Sequence, residues 1–140
     1  MHTFIKNQKA YDVPHSVEIC WKAGLTYGTF LKAVDEIPVS TIQTHISDFH
    51  NIRFRLHQLD YAKKASGEDR LAKAESVLSQ IEVYRKEMCS LYDDANSGGL
   101  QVRVLHNDTK LSNVLIGQSD VGTVIDLDTI MPGFVFFDTG

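Results

Sequence analysis

Residues 105–128 read LHNDTKLSNVLIGQSDVGTVIDLD. Apolar, β-branched runs lie just before this stretch at 102–105, inside it at 113–116 and near its end at 123–127, and the turn-forming residues 117–122 separate the last two. Short runs of that kind bounded by Gly, Asn and Asp predict strands, the last two forming a β-hairpin. The polar residues His106, Asp108, Lys110, Asn113 and Asp126 fall around the ends of these strands. Asp108 and Asn113 are five residues apart and Asp126 follows thirteen later across the hairpin, so the three side chains can converge on one point.

Upstream of the hairpin the period changes from two to three and four. Cys20, Ala23, Tyr27, Phe30, Leu31 and Val34 share one face of a predicted helix over 16–37. Gly24 and Gly28 within it predict a closely approaching neighbour. Ser40 to Gln43 has the form of a capping box, and Asp48 is placed to cap a helix over 49–64. Leu71, Ala74, Leu78, Ile81, Tyr84, Met88 and Leu91 predict a long helix that stops before Asn96-Ser97-Gly98-Gly99. Residues 1–14, with Asp12-Val13-Pro14 at their end, read as an extended lead-in. The fold class is therefore α+β and mostly helical: a lead-in over 1–14, a helical block over 15–99, and a loop with a hairpin over 100–140.

Length and composition set the outer bounds. At about 150 residues per domain, 140 residues make one domain at most. Fourteen Lys and Arg against eighteen Asp and Glu give a net charge of −4, which offers no basic footprint for nucleic acid or an anionic membrane surface. The sequence contains no apolar run long enough to span a bilayer and no apolar signal core at its start, so the expected location is the cytoplasm. Cys20 and Cys89 lie far apart without metal-ligand spacing and are expected to be buried free thiols.

Convergent carboxylates and an amide suit phosphoryl transfer, in which one carboxylate receives the proton of the attacking hydroxyl and hard oxygen ligands hold magnesium against the phosphates. His106-Asn107-Asp108 through Asn113 has the HxDxxxxN spacing of the kinase catalytic loop, and Ile125-Asp126-Leu127-Asp128 stands where protein kinases carry DFG. The strings RVLHNDTKLSNVLI and VIDLDTIMPG resemble the aminoglycoside phosphotransferase superfamily of small-molecule kinases. Within it they are most similar to the N-acetylhexosamine 1-kinase branch, as are Asp48-Phe49-His50 and Phe4-Ile5-Lys6-Asn7.

The resemblance implies the C-terminal lobe of a protein-kinase-like fold, with the hairpin carrying a metal-binding aspartate. It makes Asp108 the catalytic base, Asn113 and Asp126 magnesium ligands, and Lys110 a charge that neutralises the transferred phosphoryl group. His106 becomes a scaffold for the loop, and Asp128, where DFG has glycine, a third candidate for metal, loop or substrate. Phe4, Ile5 and Lys6 fall where relatives contact adenine through the hinge backbone. ATP and magnesium are the implied cofactors, and a sugar hydroxyl, foremost that of an N-acetylhexosamine, the implied acceptor. The upstream lobe and the downstream helices of such kinases are not recognisable in the 140 residues, so the sequence reads as an internal piece of a kinase, weak or inactive alone. The competing expectation is a non-catalytic remnant that binds itself or a partner, most simply as a homodimer through uncovered apolar faces.

Other chemistries lack their residues. His45, His50 and His57 form no HExxH, neither cysteine begins the Cys-x-Pro-x-Arg motif of sulfatases, and GxxxxGK[ST] is absent. Tyr27, Phe30, Tyr84, Tyr92 and Phe134 could contact a sugar in the full enzyme, but the first four, at helical spacing, are expected in the core.

Overall fold

The structure, a computed structural model, describes residues 4–139, which leaves residues 1–3 of the lead-in and Gly140 outside the described residues. The chain divides into two compact units, Met1–His45 with Val102–Gly140, and Ile46–Gln101.

In the first unit, α1 (Val17–Val34) starts where Ser16 Oγ accepts the Ile19 N–H at 3.3 Å, satisfying one of the amides that a helix start leaves free. Two antiparallel ribbons follow. β1 (Val102–Leu105) pairs with β4 (Met131–Phe134) so that Val102 faces Phe134 and Leu105 faces Met131. β2 (Val114–Leu115) pairs with β3 (Thr123–Val124), and a bridge between Lys9 and Ile116 lays the lead-in along the same ribbon. Ala23, Val114 and Ile116 form the buried cluster that joins α1 to the hairpin, with Ile19, Tyr27 and Leu111 packed around it.

Polar contacts fix how α1 meets the hairpin. Thr26 Oγ1 donates to the Lys22 carbonyl at 2.6 Å and accepts the Gly122 N–H at 2.8 Å. The buried Lys22 ammonium donates to the Gly117 carbonyl at 3.3 Å and pairs with Glu18 at 3.1 Å. A Cβ on Gly122 would collide with the Leu115 carbonyl, so only glycine fits where the strand comes back. The short helix α4 (Phe136–Thr139) closes the unit, and Phe134 stacks on Phe136 with centroids 5.8 Å apart.

The second unit is a helical hairpin of α2 (Ile52–Ala65) and α3 (Glu68–Asp94). Arg85 forks onto Asp60 at 2.7 Å and Glu82 at 2.8 Å, Lys63 reaches Glu82 at 3.3 Å, and Arg53 pairs with Asp93. These ion pairs line one side of α3 against α2. A π-helical turn, Ala95–Gly99, ends α3 with Gly98 at φ 95°, a conformation that favours glycine.

Several expectations are corrected. The capping-box residues form only a 3₁₀ turn, Val39–Thr41, because Pro38 before it and the extended Ile42 after it leave no room for a longer helix. α2 is capped by Asn51, whose Oδ1 accepts the Phe54 N–H at 3.2 Å, while Asp48 sits at φ 56° and accepts from Asn51 Nδ2 at 2.6 Å. A Cβ on Gly24 or Gly28 would meet nothing within 4 Å, so neither marks close packing. Cys20 is exposed and Cys89 half-buried rather than buried. β4 had no counterpart in the periodicity because Pro132 and Gly133 interrupt it. No residue of α3 is buried, and Tyr84 is 56% exposed rather than in the core. No helix among the described residues is long and apolar enough to cross a membrane.

Candidate functional site

The loop after β1 turns sharply at Asn107, which takes φ 65°, a left-handed conformation that asparagine tolerates better than most residues. Its buried side chain secures the turn: Nδ2 donates to the carbonyls of Leu105, Thr129 and Met131 at 3.3, 3.2 and 3.0 Å. The Asp138 carboxylate accepts the backbone N–H groups of His106 and Asn107 at 2.8 and 2.7 Å. Thr109 Oγ1 donates to the Asp138 carbonyl at 3.0 Å, so Asp138 of α4 holds the loop at His106, Asn107 and Thr109.

His106 is fully buried and joins the two ribbons. Its Nε2 lies 2.9 Å from the Ile125 carbonyl and its Nδ1 lies 3.3 Å from the Asp108 N–H. A carbonyl needs a donor and an amide needs an acceptor, so the ring is the neutral tautomer protonated on Nε2. Tyr27 and Phe30 of α1 meet it edge-on at 5.7 and 5.8 Å. The Tyr27 hydroxyl donates to the Lys110 carbonyl at 2.9 Å. Burial, reinforced by the charges of Asp108 and Asp138, pushes the Tyr27 hydroxyl up to about 12.

The loop presents Asp108 half-buried. Its Oδ2 accepts from Lys110 Nζ at 2.7 Å and from Asn113 Nδ2 at 3.0 Å. Burial pushes its carboxyl up, but the hydrogen bonds and charge of Lys110 with the Asn113 amide outweigh it and hold Asp108 below the usual carboxylate range. The same contact with Asp108 raises Lys110. Lys110 Nζ also lies 4.0 Å from Asp126 Oδ2, so one ammonium spans two carboxylates eighteen residues apart.

β3 ends at Val124, three residues earlier than its apolar pattern suggests, and Asp126 two residues on takes φ 63° with its side chain exposed. Asp128 is exposed too, and its carbonyl accepts from His45 Nε2 in a short contact. His45 Nδ1 faces the Gln43 carbonyl at 3.2 Å, and the two carbonyl acceptors raise its pKa because both ring nitrogens are needed as donors.

An open cleft of about 1010 Å³ adjoins this cluster, with Phe4, Ile5, Leu115 and Val124 among its apolar lining and Asp126 and Asp128 as its charged groups. Lys6 is exposed and does not line it.

The structure thus gathers Asp108, Lys110 and Asn113 by direct contact and Asp126 through Lys110, while Phe4, Ile5 and Asp128 stand along the cleft. Among the described residues, no group of three His, Cys, Asp or Glu is placed to hold a metal ion by itself. Two hard oxygens remain as candidate donors, the exposed Asp126 carboxylate and Asn113 Oδ1, which is left over when Nδ2 turns to Asp108. Such a pair of hard oxygens fits magnesium, which keeps several waters and shares its shell with phosphates.

Sequence reasoning missed Asp138, Asn107 and Tyr27. A lone carboxylate in the apolar run MPGFVFFD was a usable signal for Asp138, since a charge in such a run needs partners. Tyr27 gave no signal beyond helical spacing, which reads as core.

A model of the phosphotransferase enzyme family, APH, matches residues 3–140, nearly the whole sequence. The mixture of helices with two small antiparallel ribbons is compatible with the α+β C-terminal lobe of a kinase-like protein. The loop geometry and the family match lead to one conclusion, that the chain belongs to the APH phosphotransferase enzyme family.

Proposed function

We propose that this phosphotransferase sequence serves transfer of the γ-phosphoryl group of ATP to a hydroxyl of a small molecule, with an amino sugar, foremost an N-acetylhexosamine, as acceptor. The observation that carries the reading is the single Lys110 ammonium 2.7 Å from Asp108 and 4.0 Å from Asp126. It brings together Asp108 and Asp126, the carboxylates this reading assigns to the acceptor hydroxyl and to the metal, and phosphoryl transfer needs such convergence.

Asp108 accepts the hydrogen bond of the acceptor hydroxyl, orients its oxygen in line with the phosphorus, and takes its proton as the new P–O bond forms and the bridging P–O bond of the nucleotide breaks. A carboxylate held below its usual range is a weak base, which suits a loose transition state in which the proton leaves late. Lys110 offsets negative charge on the phosphoryl oxygens. Asn113 and Asp126 would hold magnesium, which would supply positive charge to offset that of the nucleotide phosphates. His106 keeps the loop and the end of β3 together through neutral hydrogen bonds and takes no part in proton transfer. Phe4 and Ile5 offer an apolar wall to the nucleotide base. The N-acetylhexosamine reading is supported by the strings 103–116 and 124–133, which resemble that branch.

Incubation with magnesium, ATP and N-acetylglucosamine or N-acetylgalactosamine should give a sugar phosphate above the level made by Asp108→Asn. Equal signals from the two proteins would remove catalysis by this chain, and product with other hydroxyl acceptors alone would remove the amino sugar.

A further inference from the structure

Ala74, Val77, Ile81, Tyr84, Met88 and Leu91 follow one another along α3 at alternating steps of three and four residues. That is the spacing of a coiled-coil seam, with Ala74, Ile81 and Met88 at one core position and Val77, Tyr84 and Leu91 at the other. The residues that meet α2 through ion pairs, Glu82, Arg85 and Asp93, lie on a different side of the helix. The seam itself is open: Val77 is 59% and Leu91 51% exposed, and Val77, Ile81, Tyr84, Met88 and Leu91 line a groove of about 510 Å³.

We propose that this seam docks a second copy of the chain, α3 against α3, antiparallel about a two-fold axis between Ile81 and Tyr84. Charge selects that occupant and that direction. Centred there, all six apolar residues fall into layers: Ile81 opposite Tyr84, Val77 opposite Met88, Ala74 opposite Leu91. In an antiparallel pair the positions just before the first core residue of each heptad face each other across the seam. Those positions are Lys73, Gln80, Glu87 and Asp94. The two-fold sets Lys73 against Asp94 and Gln80 against Glu87, each twice, with no like charges opposed. A parallel, in-register pair would instead place Lys73 beside Leu78 and Glu87 beside Tyr92, with no ion pair. Lys73 is surface-exposed and bound only within its own helix, to Asp69 at 2.8 Å, so it is within reach of a partner.

The seam belongs to the second unit and Asp108 to the first, and the test of the seam does not depend on the phosphotransferase reading. Sedimentation equilibrium of the chain over a concentration series is expected to show a monomer–dimer equilibrium. Lys73→Glu or Asp94→Lys alone should weaken dimerisation about tenfold, as two exposed ion pairs turn to repulsion, and the double charge swap should restore it. Both residues are exposed on a helix, and circular dichroism identifies any variant that has lost it. A monomer at every concentration overturns the proposal. A dimer indifferent to all three variants overturns the antiparallel register and with it the assigned face.

Discussion

Asp108 carries the sharpest residue-scale expectations. Asp108→Asn should lower phosphoryl transfer by about 10²- to 10⁴-fold, the usual contribution of a positioned acid–base group, with nucleotide binding followed separately by fluorescence titration. Its folded pKa lies below the unfolded value, so the stability it contributes is present above the unfolded carboxylate range and is lost as the pH falls through the lowered value. The gap in unfolding midpoint between wild type and Asp108→Asn should therefore close on acidification in a series of thermal melts. Tyr27 moves the other way. Its hydroxyl is pushed up to about 12, so folding loses stability as the pH rises from the unfolded phenol value toward 12. Ultraviolet titration should show a phenolate forming near 12 that Tyr27→Phe abolishes, at a stability loss of about 1 kcal/mol for the hydrogen bond to Lys110. The spacing of Asp108, Asn113 and Asp126 was legible in the sequence because loop and strand lengths alone bring them near. The roles of Tyr27 and Asp138 were not, since each acts through a backbone group remote in sequence.

Among the elements, β4 and α4 decide whether the loop after β1 is held. A Cβ on Gly133 would stand 2.8 Å from Asn107 Oδ1 and 3.1 Å from both Leu105 Cδ1 and Phe137 Cδ2. Gly133→Ala should cost about 1 to 3 kcal/mol in urea unfolding, because neither a buried asparagine nor a core leucine can yield freely. Asp138→Ala removes the acceptor for two backbone N–H groups and should cost about 2 kcal/mol or more. Asp138→Asn keeps one good acceptor and should recover part of that loss. Hydrogen exchange of the His106 and Asn107 amides reads the effect directly, since both should lose protection in Asp138→Ala while α1 keeps its own. Helix α1 was readable from its face of Ala23, Tyr27 and Val34, and the hairpin from its glycine-bounded runs. β4 was not, because a strand that contains Pro132 and Gly133 has no period of its own and exists through its pairing with β1.

At the scale of the whole molecule, the hairpin of α2 and α3 carries a network of acid- and salt-sensitive ion pairs. Arg85 holds Asp60 and Glu82, and Arg53 holds Asp93, below the usual carboxylate range. What these pairs contribute is present above the unfolded carboxylate range and is lost as the pH falls through the lowered values. Arg85→Ala should lower the helical melting midpoint at neutral pH and low salt, and the difference should shrink in acid or in concentrated sodium chloride. The sequence by itself determined the mixed, mostly helical fold class, the face of α1, the glycine-bounded hairpin and the identity of the loop residues, because local periods and short spacings are properties of neighbouring residues. Only the tertiary structure decided which faces are covered, that Asp138 secures the loop, that His106 is neutral and that the seam of α3 stands open. Those depend on contacts such as Thr26 with Gly122 or Asp138 with His106, made between residues 96 and 32 positions apart. Distance along the chain says nothing about such contacts until the chain has folded.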